Sequence, residues 1–210
     1  MDAKLSPQTL VINATTWVTP LTQTPLRTVG RARLHRENYR PGYYRMEGQG
    51  GYEFYRTTRS MAVAGLQIRE GSGWKTWMVD DPLHWIGMRE IVSRLPRGPL
   101  LVAGLGLGLM LHHLQTRPDI SSITVVEREH DVIELISPTL PDDDRIDIVE
   151  GDYYEFITEP PSRYASVLWD LAVGEASDTI MDFMRAKALT ARAFPGVPLY
   201  CFGARGTEPF

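Results

Sequence analysis

The sequence predicts an α/β fold built on a doubly wound, mostly parallel sheet of about five core strands, with an N-terminal β-hairpin region. The first observation behind this prediction is the apolar run at residues 99–103, which is typical of a buried parallel strand and ends in three alternating glycines. The second is the alternation of short apolar runs with helical patterns that follows it. The third is a set of aromatic and β-branched runs separated by glycine turns before residue 80, a pattern typical of hairpins.

The N-terminal part divides into two predicted segments. Residues 1–25 are rich in Thr, Pro and Gln and are expected to form an irregular arm, with a short strand at 10–12. Residues 26–80 form a β-rich region, in which glycines at 48–51 and 71–73 mark hairpin turns. Its strands are predicted on either side of these turns, at 43–46, 52–56, 61–68 and 74–79.

Residues 81–210 are predicted to form a Rossmann-like domain. A helix at 83–95 carries its apolar residues on one stripe and ends before the prolines and glycine at 96–99. Strands are then predicted at 100–103, 122–127, 145–150, 164–171 and 197–202. Helices are predicted at 109–114, 129–135, 153–157 and 178–193.

Composition restricts the class of protein. Hydrophobic residues make up 43% of the chain and charged residues 23%, which is ordinary for a globular domain. No apolar run approaches the roughly 20 residues that span a bilayer. The single cysteine, Cys201, excludes an internal disulfide and a cysteine-based zinc cluster. We therefore expect a cytoplasmic protein with neither a membrane segment nor a metal site.

The net charge of −4 is distributed unevenly along the chain. Between Arg27 and Arg69, nine arginines stand against three glutamates. Such a segment would suit an anionic partner such as nucleic acid, but charged strand edges explain it more simply. The tyrosines that could stack on bases in that alternative are Tyr39, Tyr43, Tyr44, Tyr52 and Tyr55. We expect a small-molecule acceptor first, nucleic acid second, and a homodimer as a plausible assembly.

Acidic residues follow three of the predicted parallel strands. The first strand ends in the glycine turn, and the next three end in Glu127, Asp152 and Asp170. Ligands of open α/β sheets bind beyond the carboxyl ends of the strands, so these groups should share one site. A strand-end aspartate can also be only a helix cap.

The glycine spacing helps to choose the ligand. The dinucleotide fingerprint G-x-G-x-x-G places its third glycine one residue later than Gly108, and position 109 here is Leu. No Gly-Lys-Ser/Thr follows, which excludes a phosphate-binding P-loop. The sequence therefore favours a nucleoside without phosphates over NAD.

Four motifs carry a resemblance to a known superfamily. They are Gly104-Leu105-Gly106-Leu107-Gly108, Val125-Val126-Glu127, Val149-Glu150-Gly151-Asp152 and Leu168-Trp169-Asp170. Together they resemble class I S-adenosylmethionine-dependent methyltransferases over about residues 74–175. Within that superfamily the chain looks most like the spermidine synthase (aminopropyltransferase) branch, of which the helix motif at 131–135 and the Val79-Asp80 pair are typical.

The resemblance implies S-adenosyl-L-methionine as cofactor, or its decarboxylated form or methylthioadenosine. It implies that the glycines face the amino-acid portion of the cofactor, that Glu127 holds the ribose and that Asp152 holds the adenine. Asp170 would lie at the reacting centre and is the catalytic candidate, as a general base or an amine-orienting group. The cofactor-binding residues that follow are Gly104, Leu105, Gly106, Gly108, Glu127, Arg128, Asp152, Tyr153 and Asp170.

Other polar residues near these motifs have simpler interpretations. Asp80 and Asp81 are expected to cap a helix, with the lid side of the pocket as the alternative. The histidines are expected to pack or to lie on the surface, namely His84, His112, His113 and His130.

Two features depart from the aminopropyltransferase branch. That branch carries an Asp-Ser-x-Asp-Pro loop after the fourth strand, whereas this chain has Asp170-Leu171-Ala172-Val173-Gly174. The sequence also ends at Phe210, so we expect the last two strands of a full methyltransferase sheet to be missing. Three functions stay open: methyl transfer to an unidentified acceptor, aminopropyl transfer to a cationic amine, and a catalytically silent binding or assembly role.

Overall fold

The computed structural model describes residues 9–45, 54–171 and 176–201. Its main sheet has five parallel strands in the spatial order β10-β9-β8-β11-β12. These strands are β8 (Leu100–Ala103), β9 (Ile123–Glu127), β10 (Ile146–Glu150), β11 (Ser166–Trp169) and β12 (Leu199–Cys201). The α/β, doubly wound fold class predicted from the sequence is therefore confirmed.

The strand order places a topological switch point at one position of the sheet. From β8 the chain moves outward through β9 to β10, and then returns to the other side of β8 to form β11. The direction of winding thus reverses between β8 and β11, and the connections that follow these two strands leave in opposite directions. Open α/β sheets bind their ligands at such a switch point.

Helices cover both faces of this sheet, which explains why its central strands are apolar throughout. All four residues of β8 and all four of β11 are buried. The helices are α1 (Pro82–Arg94), α2 (Leu109–Leu114), α3 (His130–Ile136), α4 (Tyr153–Phe156) and α5 (Ala176–Ala193), with a 3-10 turn at Ser137–Thr139. The strands after β8 are shorter than predicted by one or more residues, and residue 202, predicted in the last strand, lies outside the described residues.

The N-terminal region forms two smaller sheets. The first is antiparallel, in the order β2-β3-β6-β7, and the second has the order β1-β5-β4. Their strands are β1 (Thr9–Ile12), β2 (Thr28–Val29), β3 (Ala32–Tyr39), β4 (Gly42–Arg45), β5 (Phe54–Thr57), β6 (Met61–Glu70) and β7 (Gly73–Val79). Strands β4 and β5 pair antiparallel as a hairpin requires, and the predicted turn at 48–51 lies outside the described residues.

The irregular arm predicted for residues 1–25 is partly ordered as a strand. Strand β1 pairs in parallel with β5, from Thr9 beside Phe54 to Ile12 beside Thr57. The short strand expected at 10–12 is therefore present. Its partner belongs to the second half of the hairpin, a pairing for which the local sequence gives no signal.

The antiparallel sheet docks on the main sheet through a shared core. Ala32, Leu34 and Leu66 of the first pack in the same buried cluster as Leu100 and Val125 of the second. At the edge of this contact, the Asp131 carboxylate of α3 accepts a hydrogen bond from the Arg31 amide at 2.7 Å. The region predicted as 26–80 and the one predicted as 81–210 are thus joined by continuous apolar packing.

A β-bulge interrupts strand β7 close to its end. Leu66 of β6 pairs with Met78 and Gln67 pairs with Thr76, so Trp77 is an extra residue on β7. In a regular strand neighbouring side chains point to opposite faces, and a bulge breaks that alternation. Accordingly, Trp77 and Met78 both pack against the same core.

Candidate functional site

The structure brings the four strand-end motifs to one edge of the main sheet. Beyond the ends of the strands, the Gly104 amide donates to the Val126 carbonyl and the Asp170 amide donates to the Ala103 carbonyl, each at 2.9 Å. On the other side of β9, the Gly151 amide donates to the Glu127 carbonyl, also at 2.9 Å. The glycine loop, Glu127, Asp152 and Asp170 therefore follow neighbouring strands, as the sequence predicts.

The glycine loop needs glycine at the position next to the switch point. Gly104 has a φ of 94°, and a Cβ atom there would lie 2.5 Å from the backbone carbonyl oxygen of Asp170. A side chain at this position would be strained and would also push apart the ends of β8 and β11. Glycine here thus lets the end of the first strand and Asp170 approach each other closely.

Glu127 is held rigidly by the backbone around it. Its side chain is only 7% exposed, and one carboxylate oxygen accepts from the Leu105 amide while the other accepts from the Glu129 amide, both at 2.9 Å. A carboxylate has about four lone-pair sites, so each oxygen can take a further donor. The two amides fix the carboxylate between the glycine loop and the start of α3.

Asp170 is a half-buried acid at the end of β11. Burial raises the pKa of its carboxyl to about 6, the charge of His84 opposes this shift, and the charge of Glu127 adds to it. The pKa of the Asp170 carboxyl therefore lies closer to neutral pH than that of an ordinary aspartate.

The other predicted cofactor residues have local structural roles. One oxygen of Asp152 accepts from the amides of Tyr154 and Glu155 at 2.7 and 3.2 Å, so this side chain is the N-cap of α4. The Tyr153 side chain is buried and its hydroxyl bonds the Thr190 hydroxyl at 2.6 Å. The phenol thus points into the core. A contact between Tyr153 and a cofactor, which remains a prediction, would therefore involve its backbone.

Arg128 directly follows β9, and its side chain is largely exposed. Its guanidinium is 62% exposed and lies 3.5 Å from the Glu129 carboxylate. An exposed pair of this kind contributes little to stability. A contact between Arg128 and a cofactor remains a prediction.

Two side chains that the sequence did not single out also reach this edge. The thioether of Met78, from β7, accepts a hydrogen bond from the Leu107 amide at 3.4 Å. His84, on the first turn of α1, interacts electrostatically with Asp170. Both come from the N-terminal half, and the sequence carries no motif that joins them to the glycine loop.

Asp81 and His84 form a pair at the start of α1. Asp81 caps the helix, as predicted: its Oδ1 accepts from the His84 amide at 2.9 Å and lies 2.8 Å from His84 Nδ1. Burial favours the neutral imidazole, but the hydrogen bond to Asp81 and the carboxylates of Asp81, Asp170 and Asp80 outweigh it and raise the pKa of His84. The expectation that His84 is a surface or packing residue stays a prediction, and the structure adds that the carboxylate of Asp170 contributes to its raised pKa.

Asp80 is a buried carboxyl with an incomplete set of partners. It is 1% exposed, and its Oδ2 accepts from the Thr19 hydroxyl, whereas Oδ1 has no hydrogen-bond partner among the described residues. Burial raises the pKa of Asp80 to about 7; the Thr19 bond and the charges of His84 and Arg36 lower it, and Asp81 adds to the rise. The side chain therefore carries its proton in the folded protein at mildly acidic pH.

The Asp80 carboxyl should make stability depend on pH. Its pKa rises from 3.8 to about 7 on folding, so between these values the folded state binds a proton that the unfolded chain has released. The free energy of unfolding should fall as pH rises through this window, by at most about 4 kcal/mol, and then level off. In Asp80→Asn this contribution should be lost, so the fall should be smaller than in the wild type and limited to groups such as Asp170, whose raised pKa acts in the same direction.

Urea unfolding at pH 5 and pH 8 measures the effect in the wild type and in Asp80→Asn. Asp142→Asn, which changes an exposed loop aspartate, serves as the matched control and should keep the wild-type pH dependence. Equal pH dependence in Asp80→Asn and the wild type would contradict the assignment.

The remaining predicted groups pack as expected. His113 is buried, its Nε2 lies 2.9 Å from the Trp85 carbonyl oxygen, and burial lowers its pKa to about 4. Within residues 9–45, 54–171 and 176–201 no group of three or more His, Cys, Asp and Glu side chains could hold a metal ion. An open cavity of about 490 Å³ lies apart from the glycine loop, between the residues that follow β1 and the turn at Thr58 and Arg59.

Four tyrosines of the arginine-rich segment contact one another or an arginine, namely Tyr39, Tyr43, Tyr44 and Tyr55, whereas Tyr52 lies outside the described residues. Tyr44 stacks on Tyr55 with ring centroids 5.0 Å apart, and the edge of Tyr39 meets Tyr44 at 4.9 Å. Arg33 and Arg69 lie over the ring of Trp74 at 4.2 and 5.0 Å. These contacts agree with the simpler interpretation that the segment packs as sheet, while a nucleic-acid partner stays untested.

No protein-family model and no curated protein matches the chain. Solved structures do match part of it, and several of them are designated methyltransferases. A protein from Staphylococcus aureus designated a caffeoyl-CoA O-methyltransferase matches with a TM-score of 0.44 and 14% identity, over 60% of this chain and 59% of that one. Human methyltransferase-like protein 13 in complex with SAH matches with a TM-score of 0.33 and 21% identity, over 45% of this chain and 46% of that one.

A third match is an S-adenosyl-L-methionine-dependent methyltransferase, so designated, from Methanococcus maripaludis. Its TM-score is 0.41 and its identity 19%, over 57% of this chain and 54% of that one. The matched part thus spans about half of these proteins, and likenesses of this size carry no argument about activity. The fold assignment rests on the parallel strand order of the chain itself. In the part of the chain that the structure describes, no helix is long and apolar enough to cross a membrane.

Proposed function

We propose that this chain is an S-adenosylmethionine-dependent transferase, and in the first instance a methyltransferase acting on an acceptor still to be identified. The observation that supports it most is the Glu127 carboxylate, fixed by the Leu105 and Glu129 amides at the switch-point edge. A buried carboxylate with free lone pairs is suited to two neighbouring hydroxyls, such as those of a ribose. The site therefore fits an adenosyl ligand.

The glycine loop favours a ligand without phosphates. Its third glycine, Gly108, comes one residue earlier than in the dinucleotide fingerprint, in which the pyrophosphate meets the helix N-terminus. Asp152 is compatible with adenine on the same edge, because its cap bonds use Oδ1 and leave Oδ2 as a further acceptor. The loop, Glu127 and Asp152 would hold the amino-acid, ribose and adenine portions in chain order along the sheet.

A bound S-adenosylmethionine would supply a methyl group activated by its sulfonium. Transfer of such a group needs chiefly alignment of the acceptor and exclusion of water. Asp170 can bind an acceptor N–H or O–H and take up its proton, since its pKa of about 6 leaves the carboxylate ionised at neutral pH. The positive charge of His84 favours that ionised form.

Calorimetric titration tests the ligand class. We expect S-adenosylhomocysteine to bind the purified chain and NAD not to bind it at the same concentrations. Binding of NAD, or binding of neither compound, would contradict the proposal. Thermal unfolding with and without each ligand gives an independent readout, because a ligand that binds only the folded state raises its stability.

Product mass decides between the two transfer reactions. Incubation with S-adenosylmethionine and candidate acceptors should add the mass of a methyl group, whereas the aminopropyl alternative would need the decarboxylated cofactor and an amine such as putrescine. The residues that follow Asp170 and would separate the two reactions include 172–175, outside the described residues. Methyl transfer is proposed because it requires no second carboxylate in that loop.

A further inference from the structure

The glycine loop is contacted on its outer side by a side chain from the N-terminal sheet. Among residues 104–108, Gly106 is half-buried and the other four are buried. A Cβ atom built on Gly106 would lie 2.8 Å from the thioether sulfur of Met78. Met78 therefore lies against the one residue of the loop that is partly exposed.

Met78 also uses a hydrogen-bond donor of the loop. The Leu107 amide donates to the Met78 sulfur at 3.4 Å. A thioether is a weak acceptor, so an oxygen of a ligand would satisfy this amide better. The hydrogen bond holds the Met78 side chain in place, but replacing the sulfur by a ligand oxygen would cost little free energy.

The bulge in β7 explains how Met78 reaches the loop. Because Trp77 is an extra residue on that strand, Trp77 and Met78 both face the core of the main sheet. Methionine has three rotatable side-chain bonds, so it can leave the loop without movement of β7. The position of the side chain is thus set by the strand, and its displacement requires only new rotamers.

We propose that Met78 determines which adenosyl ligand the site accepts. This inference rests on the proposed function and on the expectation that Gly106 faces the amino-acid portion of the cofactor. With Met78 on the loop, an adenosyl thioether that lacks an amino-acid portion can bind directly. A full-length ligand binds only when the Met78 side chain has moved away, and its apparent affinity is reduced accordingly.

The test compares two ligands that differ in the amino-acid portion. S-adenosylhomocysteine carries it and methylthioadenosine lacks it, and both are titrated calorimetrically into the wild type and Met78→Ala. Removal of the Met78 side chain should tighten the binding of S-adenosylhomocysteine about tenfold, because in Met78→Ala no side chain has to move away before this ligand binds. The affinity for methylthioadenosine should change less than about twofold, since its binding does not require displacement of Met78.

Two further variants keep the test decisive. Met78→Leu retains the bulk but not the sulfur acceptor, and should keep the wild-type ratio of the two affinities. Met181→Ala removes an exposed methionine of α5 and should change neither affinity. Circular dichroism of each variant establishes that it is folded before titration.

The outcomes separate this inference from the proposed function. If both ligands bind and Met78→Ala leaves their affinity ratio unchanged, the role of Met78 is overturned and the proposed function stands. If neither ligand binds any folded variant, the proposed function is overturned and this inference with it. A selective gain for S-adenosylhomocysteine in Met78→Ala supports both.

Discussion

Glu127→Gln should weaken the binding of S-adenosylhomocysteine about 10- to 100-fold, because it removes charge-assisted hydrogen bonds worth about 1.5–3 kcal/mol each. The carboxylate accepts from two backbone amides in the protein alone, at Leu105 and Glu129. A glutamine presents one oxygen and one NH₂ group, so its NH₂ must face one of these donors. The variant thus loses both an acceptor for the ribose and part of the support that orients the other acceptor.

Glu129→Gln is the matched control for this prediction. Its side chain lies two residues away, and its carboxylate pairs with two surface cations, Arg31 at 3.9 Å and Arg128 at 3.5 Å. The Glu129 amide, which Glu127 needs, is unchanged by the substitution. We expect the control to bind within about twofold of the wild type, since exposed ion pairs contribute little. Calorimetry that finds the same affinity for Glu127→Gln and Glu129→Gln would refute the assignment of the ribose-binding carboxylate.

The carboxyl edge of the main sheet could be predicted because its geometry follows from topology. In a parallel sheet all strands end at the same edge, so the ends of neighbouring apolar runs must lie together. Glu127 and Asp170 are 43 positions apart in the chain. Glu127 nevertheless ends β9 and Asp170 follows β11, and both of these strands pair with the central strand β8. Their proximity could be predicted once the strands were recognised, and short apolar runs followed by glycine or an acidic residue indicated where the strands end.

The contribution of the N-terminal half could not be predicted in the same way. Regular alternation along β7 would send Trp77 and Met78 to opposite faces, and only the bulge turns both toward the core. The interaction of His84 with Asp170 depends on how the antiparallel sheet and α1 dock against the main sheet. A local signal for the pair of Asp81 and His84 was present, since an aspartate before Pro82 is typical of an N-cap.

Gly104→Ala should destabilise the protein by about 3–5 kcal/mol and abolish ligand binding at this edge. Part of that cost is backbone strain, because an alanine would have to keep a φ of 94°. The larger part is the new Cβ atom, which would stand 2.5 Å from the carbonyl oxygen of Asp170 and 3.1 Å from the Leu171 side chain. Relief of this clash requires β8 and β11 to separate at the point where the Asp170 amide bonds the Ala103 carbonyl.

Gly196→Ala isolates the strain from the clash. Gly196 has a comparable φ of 81°, but a Cβ atom added there meets nothing within 4 Å. In this control the free energy of unfolding should therefore fall only by the cost of backbone strain, about 1–2 kcal/mol, and ligand should bind as in the wild type. Urea unfolding of both variants gives the difference, which measures how closely the first strand must approach Asp170. Equal destabilisation by the two substitutions would contradict this prediction. It would mean that the ends of β8 and β11 can separate enough to accommodate a methyl group at little cost.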